Sequence, residues 1–316
     1  MNSREESWKI SNNIIKEAEK AIVGKENVLK FVVAGVLCDG HILIEDFPGL
    51  AKTLMAKTLA RVLGCSFRRV QFTPDVLPAD IIGTYVYDES SGEFKLRKGP
   101  LFTNILLADE INRAPPKTQS ALLEAMQERQ ATIEGITHVL PKPFIVMATQ
   151  NPIEYEGTYP LPEAQIDRFL MRLRIGYPDK KDEIEIMRRR IARKSEDVNV
   201  DLIANPTKVL ELQKAVEEIH IDSSIQEYIV EIIARTRADK RLVLGASPRG
   251  SLAVFKIARA IAILNNRDYV TPDDVKGAVI PGVAHRLILK PEIRVRGVTS
   301  ENVLEDILRQ VPVPAL

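Results

Sequence analysis

The fold of this 316-residue chain is decided by the stretch IEDFPGLAKT, residues 44–53. It departs twice from the phosphate-binding pattern Gly-x-x-x-x-Gly-Lys-Ser/Thr, because Asp46 stands at the first glycine and Ala51 at the second. Lys52 and Thr53 keep the ammonium and the hydroxyl that such a loop needs. Asp46 is tolerable because aspartate adopts positive φ more readily than most residues, whereas Ala51 places a methyl group where the backbone passes close to phosphate.

The flanking residues place this loop between a strand and a helix. The run 41–44 is short and apolar, as in a buried strand, and residues 54–63 have the spacing of a helix that begins at the lysine. Backbone N–H groups at such a helix start attract phosphate. The residues expected to bind nucleotide here are Asp46, Pro48, Gly49, Leu50, Ala51, Lys52, Thr53 and Leu54. The alternative is a Pro-Gly turn followed by a surface Lys-Thr pair.

A second apolar run, FTNILLADE at residues 102–110, ends in two adjacent carboxylates. Alternation along a strand points the side chains of Asp109 and Glu110 in different directions. Asp109 can then hold Mg²⁺, usually through a water, together with Thr53, while Glu110 faces the γ-phosphate and orients the attacking water. Taken alone, the pair could instead begin a helix before Asn112.

A third apolar run, FIVMATQNP at residues 144–152, ends in an amide. Asn151 would lie between the two carboxylates and the γ-phosphate, although Asn151-Pro152 alone could be a plain turn. Three polar strand ends in this order are not expected by chance. They predict an α/β fold with a parallel sheet and one nucleotide site.

Two arginines could neutralise the charge that develops on the γ-phosphate. Arg168 ends a short predicted helix just before a strand. Arg249 lies in the first turn of a helix that Ser247 caps and Pro248 begins. The alternative for each is a surface ion pair with a nearby aspartate.

Together these segments resemble the MoxR family of AAA+ ATPases and occur in the family's order. The matching segments are 45–53, 71–78, 109–117, 148–152, 163–169 and 245–250. The resemblance implies an ATP hydrolase in which Asn151 is sensor 1 and Arg168 is the finger donated to a neighbouring subunit. It also implies that Arg249 is the sensor 2 arginine and that Val23 and Gly24 lie against the adenine. Within this family, alanine before the lysine looks like a tolerated variant.

The character of the chain changes near Tyr177-Pro178-Asp179. Strands alternate with helices before this point, and the pattern is almost wholly helical after it. We therefore predict an AAA+ α/β P-loop core at residues 1–178 and a smaller all-α lid at 179–316, with nucleotide between them and Arg249 crossing the gap. Two β-hairpins, near 82–97 and 130–143, are predicted as inserts in the core. These hairpins either have no functional role or contact a substrate.

Composition narrows the classes of partner. With 44 basic and 43 acidic residues the net charge is +1, so no overall electrostatic attraction to nucleic acid is expected. Two cysteines are too few for a disulfide framework. No apolar run approaches the roughly 20 residues that span a membrane. We expect a cytoplasmic protein with no nucleic-acid partner.

The resemblance implies Mg²⁺-dependent ATP hydrolysis by a homo-oligomeric ring, expected to be a hexamer, that remodels or matures partner proteins. It suggests partners with a von Willebrand factor A domain, and a role in complex assembly or metal-cofactor insertion. Arg168 favours a ring because no phosphate of its own subunit is evidently within reach. Three alternatives remain open: a metal-chelatase-like motor subunit, a nucleic-acid-remodelling motor, and a scaffold that binds ATP without hydrolysing it, for which Ala51 is the argument.

Overall fold

The computed structural model describes residues 3–151 and 158–314. Pro152, the last residue of the third motif, lies outside them. The strands, in chain order, are β1 (Ile42–Glu45), β2 (Phe67–Gln71), β3 (Gly83–Asp88), β4 (Glu93–Lys98), β5 (Ile105–Asp109), β6 (Gln130–Ile133), β7 (Ile136–Val139), β8 (Ile145–Gln150), β9 (Met171–Leu173), β10 (Leu242–Leu244) and β11 (Ile288–Leu289).

The helices of the first half are α1 (Ser3–Glu19), α2 (Glu26–Leu37), α3 (Lys52–Val62), α4 (Pro78–Ile82), α5 (Pro116–Glu128) and α6 (Glu163–Ile166). Those of the second half are α7 (Lys180–Arg193), α8 (Pro206–Glu217), α9 (Ser223–Ala238), α10 (Pro248–Leu264), α11 (Pro272–Val283), α12 (Pro291–Val295) and α13 (Ser300–Gln310). No helix in the described ranges is long and apolar enough to cross a membrane.

The central sheet has five parallel strands in the order β2-β5-β8-β1-β9. Each of the three apolar runs expected from the sequence supplies one of the three middle strands. Because the carboxyl ends of parallel strands lie at the same edge of a sheet, the polar residues that follow β1, β5 and β8 are brought together. The predicted α/β fold is therefore confirmed, and the strand order decides where the site lies.

Alternation along the strands buries both faces of the sheet. Ile42 and Ile44 of β1 belong to a core shared with α1, α2 and α3, while Leu43 points into a second core with α4 and α5. The strands therefore read as continuous apolar runs, as expected for parallel strands covered on both sides.

Both predicted hairpins are confirmed, as β3–β4 and β6–β7. The turn between β6 and β7 is formed by Glu134 and Gly135, with φ of 49° and 83°. Two successive left-handed residues match the turn that joins two-residue hairpins. In the first hairpin, Tyr87 and Phe94 are exposed and their rings meet edge to face at 5.3 Å.

The second half is helical as predicted, and its helix starts follow the capping signals in the sequence. Ser247 accepts a hydrogen bond from the backbone N–H of Arg249, and Thr271 and Asp274 form a capping box. Helices α12 and α13 and the small β10–β11 pair were not predicted.

Packing across the predicted domain boundary is continuous. Ile15 of α1 and Val32 of α2 share one apolar cluster with Val209 of α8 and Ile257 of α10. The lid helices thus pack on the helices that precede the first strand. The boundary between residues 178 and 179 stays a prediction.

Candidate nucleotide-binding site

A cavity of about 440 Å³ lies at the sheet edge where β1, β5 and β8 end. Its volume is in the range of sites for small ligands. It is lined by Pro48, Gly49, Leu50, Ala51, Lys52, Thr53, Leu54, Arg69, Gln71, Asp109, Glu110 and Asn151. All of these except Arg69 and Gln71 belong to the nucleotide site expected from the sequence.

The loop between β1 and α3 turns through two left-handed residues. Gly49 has φ of 82°, and Ala51 has φ of 56° and ψ of 21°. This backbone conformation costs an L-residue with a Cβ roughly 1–2 kcal/mol. Helix α3 then begins at Lys52, so the first N–H groups of an 11-residue helix have no partner within it. The unusual feature of Ala51 is therefore its strained backbone, in addition to its methyl group.

Asp46 has neither the positive φ expected of it nor a place in the cavity lining. Its backbone is not left-handed, its N–H donates to the carbonyl of Gln150, and its side chain does not line the cavity. The buried carboxylate instead accepts hydrogen bonds from the N–H groups of Phe47 at 2.9 Å and of Ile175 and Gly176 at 2.6 Å each. Asp46 thus ties the loop to the chain after β9, and a contact with nucleotide stays a prediction.

Lys52 is folded back on its own loop. Its Nζ donates to the carbonyl oxygens of Asp46 at 2.7 Å and Phe47 at 3.1 Å. Burial lowers the pKa of Lys52, and the nearby carboxylates of Asp109, Asp46 and Glu110 act in the opposite direction. The ammonium therefore sits among acceptors that a phosphate can replace.

Asp109 is buried at the end of β5, and both of its carboxylate oxygens are engaged. The hydroxyl of Thr149 donates to Oδ1 at 2.6 Å. The guanidinium of Arg69, on the neighbouring β2, donates to Oδ2 from Nε at 3.0 Å and from Nη2 at 2.7 Å. The carboxylate is thus held in one orientation, with Oδ2 against a cation.

Glu110 lies beyond the end of β5, and its direction is not set by strand alternation. It is left-handed, with φ of 56° and ψ of 50°, and its N–H donates to the hydroxyl of Thr149 at 2.8 Å. Its Oε2 accepts hydrogen bonds from the amide of Gln71 at 2.6 Å and from Arg113 at 2.9 Å. The direction of this carboxylate is therefore set by the turn after β5 and not by the alternation of side chains along the strand.

Arg69 and Gln71 are the cavity residues that sequence reasoning missed. They lie two residues apart on β2, and therefore on one face of the sheet. The sequence carried a signal for them. Arg69 and Gln71 occupy alternate positions of the run FRRVQ, so that both polar side chains share one face of the strand. Only the neighbouring position of β2 and β5 shows that they face the two carboxylates.

Asn151 follows β8, is buried and lines the cavity, as expected. Val23 and Gly24 do not line it. Gly24 lies against the side chain of Asp182 at the start of α7, and Lys25 donates to the carbonyl of Tyr177 at 2.9 Å. The Tyr177 ring stacks on Phe47 of the loop at 5.9 Å, so this segment flanks the loop. A contact with adenine stays a prediction.

Arg168 and Arg249 lie together, away from the phosphate-binding loop. Both line a second cavity of about 280 Å³, with Arg129, Lys256 and Arg286. Arg168 donates to the carbonyl of Leu123 at 3.0 Å, and Nη1 of Arg249 is 3.6 Å from Oδ2 of Asp167. Ser247 and Arg249, at the start of α10, both lie beside Asp167, and neither lines the first cavity. A contact between Arg249 and nucleotide stays a prediction.

Arg286 organises the segment that carries Arg168. It is buried, and its Nε donates to Oδ1 of Asp167 at 2.7 Å. Its Nη2 donates to the carbonyls of Asp167 at 3.1 Å and Phe169 at 2.8 Å. One guanidinium thus fixes the backbone on both sides of Arg168.

Two oxygen donors in the first cavity fit a divalent cation. The hydroxyl of Thr53 and the carboxylate of Asp109 are the hard ligands that Mg²⁺ prefers. Within residues 3–151 and 158–314, no three His, Cys, Asp or Glu side chains are grouped to hold a metal. This donor set fits Mg²⁺ held by few protein ligands together with substrate phosphates, which is its usual mode.

The fold and cavity define the P-loop class of nucleotide-binding proteins with an AAA-type core and lid. The model of the ATPase family associated with various cellular activities (AAA) matches residues 41–171, and that of the AAA lid domain matches residues 234–307. The chain belongs to the MoxR family of AAA+ ATPases.

Three similar proteins span nearly the whole chain. YeaC of Bacillus subtilis, an uncharacterised protein, is 46% identical over 95% of this chain and 93% of its own length. The chaperone MoxR1 of Mycobacterium tuberculosis is 43% identical over 95% of this chain and 81% of its own length. The crystal structure of a candidate ATPase from Cytophaga hutchinsonii is 42% identical, with a TM-score of 0.92 over 99% of this chain and 97% of that one.

Proposed function

We propose that this chain is a Mg²⁺-dependent ATPase that works as a homo-oligomeric ring, expected to be a hexamer, and remodels or matures partner proteins. The observation that carries the proposal is the first cavity, where Lys52, Thr53, Asp109, Glu110 and Asn151 converge from three strand ends. No single segment of the chain could supply this set.

The residues of the cavity have separable roles in this proposal. Lys52 and the N-terminus of α3 hold the phosphates, and Thr53 and Asp109 hold the cation. Mg²⁺, when bound, neutralises charge on the phosphates. Glu110 orients the attacking water and takes its proton, and the buried Asn151 stands between the carboxylates and the γ-phosphate. Glu110 must first release Gln71 and Arg113, which occupy one of its oxygens.

A ring is supported by the second cavity. Arg168 and Arg249 line it with three further basic side chains, and the aspartates in its wall are Asp39 and Asp167. Cations gathered on a surface away from their own loop suit an anion brought by another copy. We infer that both arginines act on the nucleotide of a neighbouring subunit, Arg168 as the finger and Arg249 beside it.

Work on a client protein is supported by the family and by the first hairpin. The Mycobacterium tuberculosis relative is named a chaperone. Val86, Tyr87 and Phe94 expose apolar side chains on the β3–β4 hairpin, which is a surface suited to a polypeptide. A partner with a von Willebrand factor A domain remains a proposal from the family resemblance.

The test is phosphate release by purified protein with Mg²⁺ or with excess EDTA. We expect Mg²⁺-dependent turnover by the wild-type chain, and nucleotide binding without turnover by Glu110→Gln, because the amide cannot take a proton. Glu227→Gln is the matched control, since Glu227 is an exposed glutamate on α9 and lines neither cavity. Normal turnover by Glu110→Gln would contradict the role of Glu110, and binding without turnover in the wild type would favour the scaffold.

The same preparation separates the remaining alternatives. Salt-dependent DNA binding would favour a nucleic-acid motor, and stimulation by chelatase partner subunits would favour a chelatase-like motor. A pull-down with ATP-loaded Glu110→Gln is the direct search for a client.

A further inference from the structure

Arg69 is the cation that neutralises Asp109 in this site. Nε and Nη2 of Arg69 both donate to Oδ2 of Asp109, and the Thr149 hydroxyl donates to Oδ1. Protein donors therefore occupy both oxygens of the carboxylate that is expected to hold the metal. Lys52, the other cation lining the cavity, is turned toward the carbonyls of its own loop.

The same guanidinium also reaches the second carboxylate through Gln71. Nη2 of Arg69 donates to Oε1 of Gln71 at 2.7 Å, and Nε2 of Gln71 donates to Oε2 of Glu110 at 2.6 Å. The amide is fixed in one orientation, because its oxygen accepts from Arg69 and its nitrogen faces Glu110. Asp109 and Glu110 are thus joined in one hydrogen-bonded chain.

Arg69 reaches Asp109 from the solvent side of the site. Its side chain is 47% exposed, whereas that of Asp109 is 12% exposed. A released Arg69 therefore returns readily to solvent, whereas the buried Asp109 carboxylate needs another cation beside it. A divalent cation supplies that charge and can take the place of the guanidinium.

We propose that Arg69 is a positioning residue that competes with the divalent cation for Asp109. In the metal-free site it holds Asp109 by two hydrogen bonds and, through Gln71, keeps Glu110 engaged. A divalent cation drawn to Asp109 displaces this guanidinium, which removes the partner that holds the Gln71 amide and leaves Arg113 as the remaining partner of Glu110 Oε2. The inference rests on the proposed function of the same cavity.

Replacing Arg69 by methionine tests this competition. Arg69→Met keeps an unbranched apolar stem and removes the charge. Since the competing cation is gone, we expect the Mg²⁺ concentration for half-maximal binding to fall about three- to tenfold, as a weak ion pair allows. Arg69→Lys, which keeps the charge, should lie near wild type. Arg68→Met is the matched control, because Arg68 is the adjacent, exposed arginine on β2.

The measurement uses the full chain and does not depend on turnover. Mg²⁺ is titrated at fixed fluorescent ADP, and Mn²⁺ binding is followed by its electron paramagnetic resonance signal. Equal or weaker metal binding by Arg69→Met than by wild type overturns the inference, since Arg69 would then only orient Asp109. A wild-type chain that binds no nucleotide, with or without metal, instead overturns the proposed function. If Arg69→Met does not fold, Arg69→Gln replaces it under the same criteria.

Discussion

One oxygen of the Asp46 carboxylate, at the start of the phosphate-binding loop, accepts a hydrogen bond from the backbone N–H of Gly176 at 2.6 Å. The same oxygen accepts from Ile175, and the other accepts from Phe47. Buried carboxylates held by several N–H groups form the stronger class of hydrogen bond. The acidic residue at the consensus glycine is thus a structural link between the loop and the end of β9.

We expect Asp46→Gly, which restores the loop consensus, to destabilise the protein. Three backbone N–H groups would lose their acceptor, and unsatisfied buried groups cost roughly 1–3 kcal/mol each. Entry of water offsets part of this, so a total loss of about 2–4 kcal/mol is expected. Urea unfolding measures it, with exposed Asp75→Ala as the control. A variant as stable as wild type would show that the carboxylate is dispensable.

Ala51→Gly should have the opposite effect. Ala51 is left-handed, and glycine adopts this conformation without steric cost. We expect a gain of about 0.5–1 kcal/mol in the free energy of unfolding. The control is Ala60→Gly in the interior of α3, which should lose about 1 kcal/mol. A loss of stability in Ala51→Gly would mean that the methyl group makes a contact worth more than the strain.

Mixing variants tests whether Arg249 acts across a subunit boundary with Arg168. In a mixture of Arg168→Ala and Arg249→Ala chains, every interface lacks one arginine if both act on the neighbour. We therefore expect no recovery of ATPase activity. If Arg249 acts within its own chain, about a quarter of the interfaces of a randomly mixed ring are complete and activity returns.

The control for this experiment is a mixture of Arg168→Ala and Lys52→Ala chains. Here an intact arginine surface meets an intact loop at about a quarter of the interfaces, so partial recovery is expected. Absence of recovery in this control, with rings present by light scattering, would argue against any finger acting on a neighbour.

His41 should make the protein acid-sensitive. It is buried just before β1, with Nδ1 accepting from the N–H of Val146 on β8 and Nε2 donating to the carbonyl of Met126 on α5. Burial, with Arg129 nearby, lowers the pKa of His41 from 6.5 to about 3. Between these values the unfolded chain binds a proton that the folded chain does not. Stability from this group therefore falls as pH falls, by about 1.4 kcal/mol per unit.

The pH effect is measured as the free energy of unfolding between pH 7 and pH 4. His41→Asn keeps an acceptor and cannot titrate. Its free energy of unfolding should therefore depend less on pH than that of wild type, by up to about 1.4 kcal/mol per pH unit. His220→Asn, at an exposed histidine, is the control. Parallel profiles for His41→Asn and wild type would contradict the assignment.

Much of the fold could be read from local patterns. Three apolar runs with polar ends gave the middle strands, and Pro248 and Pro272 marked helix starts that the structure places at the same residues. The two hairpins were also predicted, and in the second the glycine at 135 takes one of the two left-handed positions of the turn. These features depend on the conformational preferences of neighbouring residues, which is why sequence alone predicts them.

The sequence could not supply the partners of the predicted residues. Arg69 faces Asp109 only because β2 pairs with β5, and Asp46 meets Gly176 only because β9 pairs with β1. The place of Arg249 depends on how α10 packs against α1 and α2. Each of these relations joins residues far apart in the chain, so no local pattern records it.

The phosphate-binding loop shows both kinds of property, those that follow from contiguous residues and those that depend on tertiary structure. The sequence determined that Lys52 and Thr53 begin a helix after a strand, and that carboxylates and an amide follow two further strands, because these are properties of contiguous residues. Tertiary structure decided that Ala51 carries backbone strain and that Asp46 supports the loop from behind. It also decided that both arginines line a cavity other than the one at the loop, because sheet order and helix packing bring together residues far apart in the chain.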